Sequence, residues 1–235
     1  MYRLIVTDYD GTLVPEGKTL SQELYVKLNK LNARGVTFAV ASGRTYDQLR
    51  KLLFQCSQNT VFVANDGAQV MYRNCVLYKK TVCVHIAKAV CSVAMSEGMS
   101  AVCALREENK GVKQEHLSLP FFLSTDIFKI IIIKNGKNPA SVKAEAEKRG
   151  LRVCYEDDTY LEFCNKDANK GEAVKKLMQK FSVVSNELVC MGDGENDLSM
   201  MTLTQNRVIP ANACEKVRAL GGTTVEDVEK YLLDI

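Results

Sequence analysis

Short apolar runs alternate with stretches of helical periodicity over most of this chain, and the alternation breaks once, in the middle. Residues 3–8 read as a strand, and Leu24, Leu28 and Leu31 then recur at helical spacing before Gly35, a residue suited to ending that helix. "VTFAVA" at 36–41 reads as a second strand, 46–55 as a helix and "VFVA" at 61–64 as a third strand. Strands and helices that alternate at this pace predict βαβ units and a parallel sheet. After "NDG" at 65–67, "AQVMY" and "VLYKK" predict a hairpin.

The middle follows another pattern. A helix near 84–97 precedes "SAVCALRE" and a charged stretch, "REENKGVKQEH", which reads as a solvated loop. The strand "FKIIIIK", a helix near 139–149 and two short strands, "RVCYE" and "YLEFC", follow, with "EDD" at 156–158 as the turn between the strands. This is an α+β pattern with antiparallel pairing, expected for a separate small domain. From about 167 the first pattern returns: Val174, Leu177, Met178 and Phe181 mark a helix, "ELVCM" and "NRVIP" two strands, and 225–234 a last helix. The expected organisation is therefore α/β, a Rossmann-like parallel-sheet core over 1–80 and 167–235 that is interrupted by an α+β insert over 81–166. Linkers near 80 and 166 are expected to act as hinges.

Several function classes are disfavoured. The formal net charge of +3, with acids and bases intermixed, is too mild to argue for nucleic acid or an anionic membrane as partner. The run "IIII" at 130–133 is bounded by Lys129 and Lys134, far short of a membrane span. Asp8 interrupts the first apolar run too early for a signal peptide, so a cytoplasmic location is expected. The nine cysteines form no C-x-x-C pair, and only His85 and His116 could join them at a zinc site. Cys83, Cys91, Cys103, Cys154, Cys164 and Cys190 lie in apolar stretches and read as small buried hydrophobes in a reducing compartment. The oligomeric state is left open.

In an open α/β sheet, ligands sit beyond the carboxyl ends of the strands. Asp8 and Asp10 fall at one such end, Ser42, Gly43 and Arg44 at a second, and Asp193, Asn196 and Asp197 at a third, with Lys170 at the start of a helix. Any one of these alone reads as a turn residue, a helix cap or a solvated side chain. Together they put carboxylates, one ammonium and one hydroxyl on one rim. Carboxylates gathered in this way repel each other unless a hard cation such as Mg²⁺ joins them. Lysine, a serine hydroxyl and the N–H groups of a glycine turn suit a phosphate. One carboxylate is then placed to attack phosphorus, and a second to protonate the departing alcohol and later deprotonate water. Gly11 lets the backbone turn tightly between these tasks.

"DYDGTL", "ASGR", "NKG" and "GDGENDLSM", in this order and spacing, resemble the four motifs of the haloacid dehalogenase-like (HAD) superfamily. The insert resembles the C2B-type cap of its Cof-type, class IIB phosphatases, and "ANDGAQV" at 64–70 and "ANA" at 211–213 are similar to further stretches of that subfamily. The resemblance implies that Asp8 is the nucleophile that becomes aspartyl-phosphate, and that Asp10 is the general acid/base. It implies that Asp8, Asp193 and the backbone carbonyl of Asp10 hold Mg²⁺. Ser42, Lys170 and Asn196, with the turns at Gly11, Thr12 and Gly43, would hold the phosphate, and Asp197 would bind a metal water or orient Lys170. Lys166 is a second lysine near the third motif, but Gly171 favours Lys170. The implied activity is Mg²⁺-dependent hydrolysis of the phosphomonoester of a small metabolite, such as a sugar phosphate. A class IIB phosphomutase is the alternative enzyme; it needs a second phosphate site, for which the insert offers Arg106, Lys110, Lys113, Arg149 and Arg152. A non-catalytic phosphoester-binding protein on the same scaffold is the non-enzyme alternative. It has no need of Asp8, Asp10, Lys170 and Asp193 together.

Overall fold

All five residues of strand β1, Leu4–Asp8, are buried, as expected of a strand covered on both faces. A computed structural model of the chain describes every residue except Met1, Glu16, Ser57, 106–108 and 113–125. The chain divides into two units, Met1–Tyr78 with Asn169–Ile235, and Lys79–Ala168.

The first unit is built on β1, α1 (Gln22–Ala33), β2 (Thr37–Ala41), α2 (Tyr46–Leu52), β3 (Thr60–Ala64), β4 (Gln69–Tyr72) and β5 (Cys75–Lys79). Its second segment adds α5 (Lys170–Phe181), β11 (Leu188–Met191), α6 (Leu198–Met201), β12 (Arg207–Pro210), α7 (Glu215–Arg218), β13 (Thr223–Val225) and α8 (Val228–Asp234). The strands form one sheet in the order β13-β12-β11-β1-β2-β3-β4-β5. From β13 to β3 every neighbouring pair is parallel, and β4 turns back antiparallel on β3. The chain runs outward from β1 through β2 and β3, then restarts on the other side of β1 with β11. That reversal opens a crevice at the carboxyl ends of β1 and β11.

Helices cover both faces of the sheet. Ile5, Phe38, Val40 and Phe62 pack with Leu24, Leu28 and Leu49 from α1 and α2 and with Leu232 from α8. Leu4, Val6, Ala39, Val61 and Val63 pack on the opposite face with Val174, Leu177, Met200 and Val217. Neighbouring β1 residues thus face opposite layers, as the two-residue period of a strand requires. Ser21 caps α1 by accepting from the Leu24 N–H at 3.1 Å, and Asn169 caps α5 by accepting from the Glu172 N–H at 2.8 Å.

The second unit comprises α3 (Val84–Ser96), β6 (Ser100–Ala104), β7 (Asn109–Val112), β8 (Lys129–Ile133), α4 (Ala140–Lys148), β9 (Leu151–Glu156) and β10 (Tyr160–Asn165). Its sheet, in the order β7-β6-β8-β10-β9, is antiparallel throughout. Ile130 and Ile132 are buried with Phe163 and with Ala87, Val90 and Ala94 of α3, while Ile131 and Ile133 are half-buried. The "IIII" run therefore alternates between faces, with Ile130 and Ile132 in the core and Ile131 and Ile133 on the less buried face.

The structure corrects the sequence reading in three places. Within the stretch read as a charged loop, Asn109–Val112 form β7 on β6, while 106–108 and 113–116 lie outside the described residues. The last helix begins at Val228, because Thr223–Val225 form a strand paired with β12. Cys83 is exposed just before α3 and Cys154 is half-buried, whereas Cys91, Cys103, Cys164 and Cys190 are buried as read, and none of the nine cysteines is in a disulfide. No helix among the described residues is long and apolar enough to cross a membrane.

Candidate active site

Five loops meet at the carboxyl ends of β1, β2, β3 and β11 and at the start of α5. Asp8 ends β1 buried, and the chain turns at once: the Leu13 N–H donates to the Asp8 carbonyl and the Val14 N–H to that of Tyr9. Gly11 takes φ +80°, and a Cβ there would lie 2.6 Å from Oδ2 of Asp193. Both the left-handed backbone and the approach of a carboxylate exclude a larger residue. Thr12 donates its hydroxyl to Oδ1 of Asp193 at 2.6 Å, which ties the first motif to the fourth.

Lys170 is the first residue of α5, and its ammonium is buried. It donates to Oδ1 of Asp8 and to Oδ1 of Asp197, both at 2.6 Å. The other Asp197 oxygen accepts from the backbone N–H groups of Asp193 and Gly194, each at 3.0 Å. Both oxygens of Asp197 are thus engaged within the protein. Burial alone would lower the pKa of Lys170, but the charges of Asp197 and Asp8 outweigh it and hold the ammonium above its ordinary range. Burial pushes the Asp8 carboxyl up to about 8 against the pull of Lys170, with Asp197 and Asp193 pushing the same way. Asp193 is also raised, first by burial, and the Thr12 hydrogen bond partly offsets the rise.

Asp10 points out of the same turn, with its side chain 53% exposed. Arg44 grips it with a two-pronged ion pair: Nε reaches Oδ2 at 2.8 Å and Nη2 reaches Oδ1 at 2.6 Å. The same guanidinium lies 5.5 Å from the ring centre of Tyr9. The Ser42 hydroxyl is 3.4 Å from Asp10 Oδ2 and accepts from the Arg44 N–H at 3.1 Å. Asn196 is exposed and donates its amide to Oδ1 of Asp66 at 3.1 Å.

Of the sequence-predicted residues, Asp8, Lys170, Asp197, Asp193 and Thr12 form one bonded group, with Gly11 pressed against Asp193; Asp10 and Ser42 form a second with Arg44, and exposed Gly43 lies between Ser42 and Arg44. Lys166 is exposed, whereas Lys170 is buried against Asp8. Two residues received no task from the sequence, Arg44 and Asp66. Arg44 had a visible signal, its place straight after Ser42 and Gly43; Asp66 lay in the "ANDGAQV" stretch, which was marked by the resemblance but given no role.

The donor set suits a hard divalent cation. Oxygens of Asp8, Asp193 and Asp197 lie within 4.8 Å of one another, and oxygen ligands are those Mg²⁺ and Ca²⁺ prefer. Because Asp197 is committed to Lys170 and to two backbone N–H groups, Asp8 and Asp193 are the carboxylates with an oxygen to spare. Each has one oxygen taken, by Lys170 and by Thr12 respectively.

The doubly covered sheet and its carboxylate-lysine rim suit an enzyme that acts on phosphate esters, and the comparisons show a phosphatase. A family model described as sucrose-6F-phosphate phosphohydrolase matches residues 1–230, and the chain belongs to that family. A phosphoglycolate phosphatase of Thermoplasma volcanium is 30% identical over 219 residues, covering 93% of this chain and 89% of the relative. Among solved structures, a haloacid dehalogenase-like hydrolase from Bacteroides thetaiotaomicron superposes with a TM-score of 0.83 at 19% identity, covering 99% of this chain and 98% of its own. A HAD subclass IIB sugar phosphatase superposes with a TM-score of 0.74 at 16% identity, over 97% and 95% of the two chains.

Proposed function

We propose that this phosphatase hydrolyses phosphomonoesters of small metabolites, sugar phosphates foremost, with Mg²⁺ as cofactor and an acyl phosphate on Asp8 as intermediate. The arrangement of Asp8 carries the reading: a buried carboxylate held by Lys170 at the crevice, with a second, exposed carboxylate, Asp10, two residues along. The Asp8 oxygen attacks phosphorus, the bond from phosphorus to the ester oxygen breaks, and Asp10 gives the departing oxygen its proton. Asp10 then takes a proton from water, which attacks the same phosphorus and releases inorganic phosphate and the Asp8 carboxylate. Lys170 and the Ser42 hydroxyl hold the phosphoryl oxygens, and the Arg44 fork sets the direction of the Asp10 carboxylate. Asp8, Asp193 and the Asp10 carbonyl would hold Mg²⁺, which would supply positive charge against the phosphoryl oxygens.

The second unit serves in this reading as the C2B-type cap, with the molecule divided as core 1–80, cap 81–166 and core 167–235. Two of the insert's cations are already engaged, which weighs against the mutase. Arg152 donates through Nε and Nη2 to the Ala168 carbonyl, and Arg149 pairs with Glu145. A panel of phosphorylated metabolites, assayed with and without Mg²⁺, tests the proposal. Turnover of several sugar phosphates that stops on chelation is expected; isomerisation without phosphate release would contradict it. Asp8→Asn is expected to abolish turnover with an unchanged thermal melt. A variant that turns over near the wild-type rate removes Asp8 as nucleophile.

A further inference from the structure

Asp66 is a buried carboxylate on the catalytic rim to which the chemistry above gives no task. It sits in the turn between β3 and β4, where Asn65 and Asp66 both take left-handed backbone conformations, φ 52° and 53°. Residues with a Cβ seldom adopt these angles, and they persist only where the surroundings enforce them. The surroundings here are the site itself. The Asn65 N–H donates to the Arg44 carbonyl at 2.8 Å, and the Asp66 N–H to the Ser42 carbonyl at 3.0 Å. On the other side, a Cβ on Gly67 would lie 2.2 Å from the carbonyl oxygen of Asn169, so the turn is pressed against the start of α5 beside Lys170.

From this fixed base the Asp66 carboxylate accepts from Nδ2 of Asn196 at 3.1 Å. A carboxylate only accepts, so it selects the NH₂ end of the Asn196 carboxamide over its oxygen. Nδ2 carries two hydrogens, and this contact uses one. The geometry points to Asp66 as a positioning residue: it turns the Asn196 carboxamide so that the second N–H is presented to the phosphate group of the substrate. The assignment rests on the phosphatase reading, because it needs a phosphate on this rim.

Binding of inorganic phosphate in the presence of Mg²⁺, measured by calorimetry, tests it without turnover. Asp66→Ala and Asn196→Ala are each expected to weaken phosphate about tenfold, the effect of one lost hydrogen bond to a charged ligand. The double variant is expected to bind no worse than either single one, because both remove the same contact. Asp66→Asn, whose carbonyl can still accept, is expected to retain most of the affinity. In turnover, KM rises with the same pattern while kcat changes less. Should Asp66→Ala fail to fold, Asp66→Gly suits the left-handed backbone and serves the same cycle. Losses that multiply in the double variant, an Asp66 variant with wild-type affinity, or wild-type protein that binds no phosphate would each overturn the assignment. Absence of turnover in a wild-type protein that still binds phosphate would count against the phosphatase reading alone.

Discussion

Lys170 shows at the scale of a residue how this site spends its charges. One buried ammonium lies between two carboxylates at 2.6 Å, and removal of one partner from such a group leaves uncompensated buried charge. Lys170→Met is therefore expected to lose turnover and also about 3–5 kcal/mol of stability, read from denaturant titration. A loss under about 1 kcal/mol would show that the surrounding charges relax. The Arg44–Asp10 pair behaves differently because both side chains are more than a third exposed, 39% and 53%. Arg44→Ala is expected to change stability by less than about 1 kcal/mol while slowing turnover clearly, since Asp10 loses its orientation. Equal turnover in Arg44→Ala would mean that Asp10 needs no such hold. The acids at 8, 10 and 193 were legible in the sequence because each follows an apolar run closely, with a glycine turn at 11 or at 192 and 194 beside them. The tasks of Arg44 and Asp66 were not: both lie in stretches the sequence marked, but a single charge after a strand shows no partner until distant loops meet.

Elements were legible where burial imposes a period. β1, β2, β3 and β11 are short apolar runs, and α1 and α5 carry apolar residues at helical spacing. β13 and β7 escaped because neither carries such a pattern. "TTV" is largely exposed and "NKGV" lies in a charged stretch, so pairing with β12 and β6 makes them strands. The turn between β3 and β4 links elements to site. Gly67→Ala places a Cβ against the backbone of Asn169 at φ +88°, a combination expected to cost at least about 1–3 kcal/mol. Thermal melts measure that cost, and an unshifted melting temperature would show that the turn can move away from α5.

For the whole molecule, the break in strand-helix alternation marked two differently built parts, and the contacts divide the chain after Tyr78 and after Ala168. Each part has its own core. The second unit carries its own acid-sensitive contact: Glu156 pairs with Lys143 at 2.6 Å and Lys134 at 3.0 Å, and these lysines hold its carboxyl below the usual range. A depressed carboxyl stabilises the fold above its unfolded value and loses that contribution as the pH falls through the lower, folded value. Glu156→Gln is thus expected to flatten the fall in stability on the acid side of the ordinary glutamate range. An unaltered acid limb would deny the pair any part in it.

The central claim, that Asp8 is phosphorylated during turnover, has a direct chemical test. Borohydride added during steady-state hydrolysis reduces an acyl phosphate to the alcohol, which converts the aspartate to homoserine. Peptide mass spectrometry is predicted to find homoserine at position 8 only when substrate and Mg²⁺ are both present. Reduction at another carboxylate, or none at position 8 while the enzyme turns over, would contradict the account.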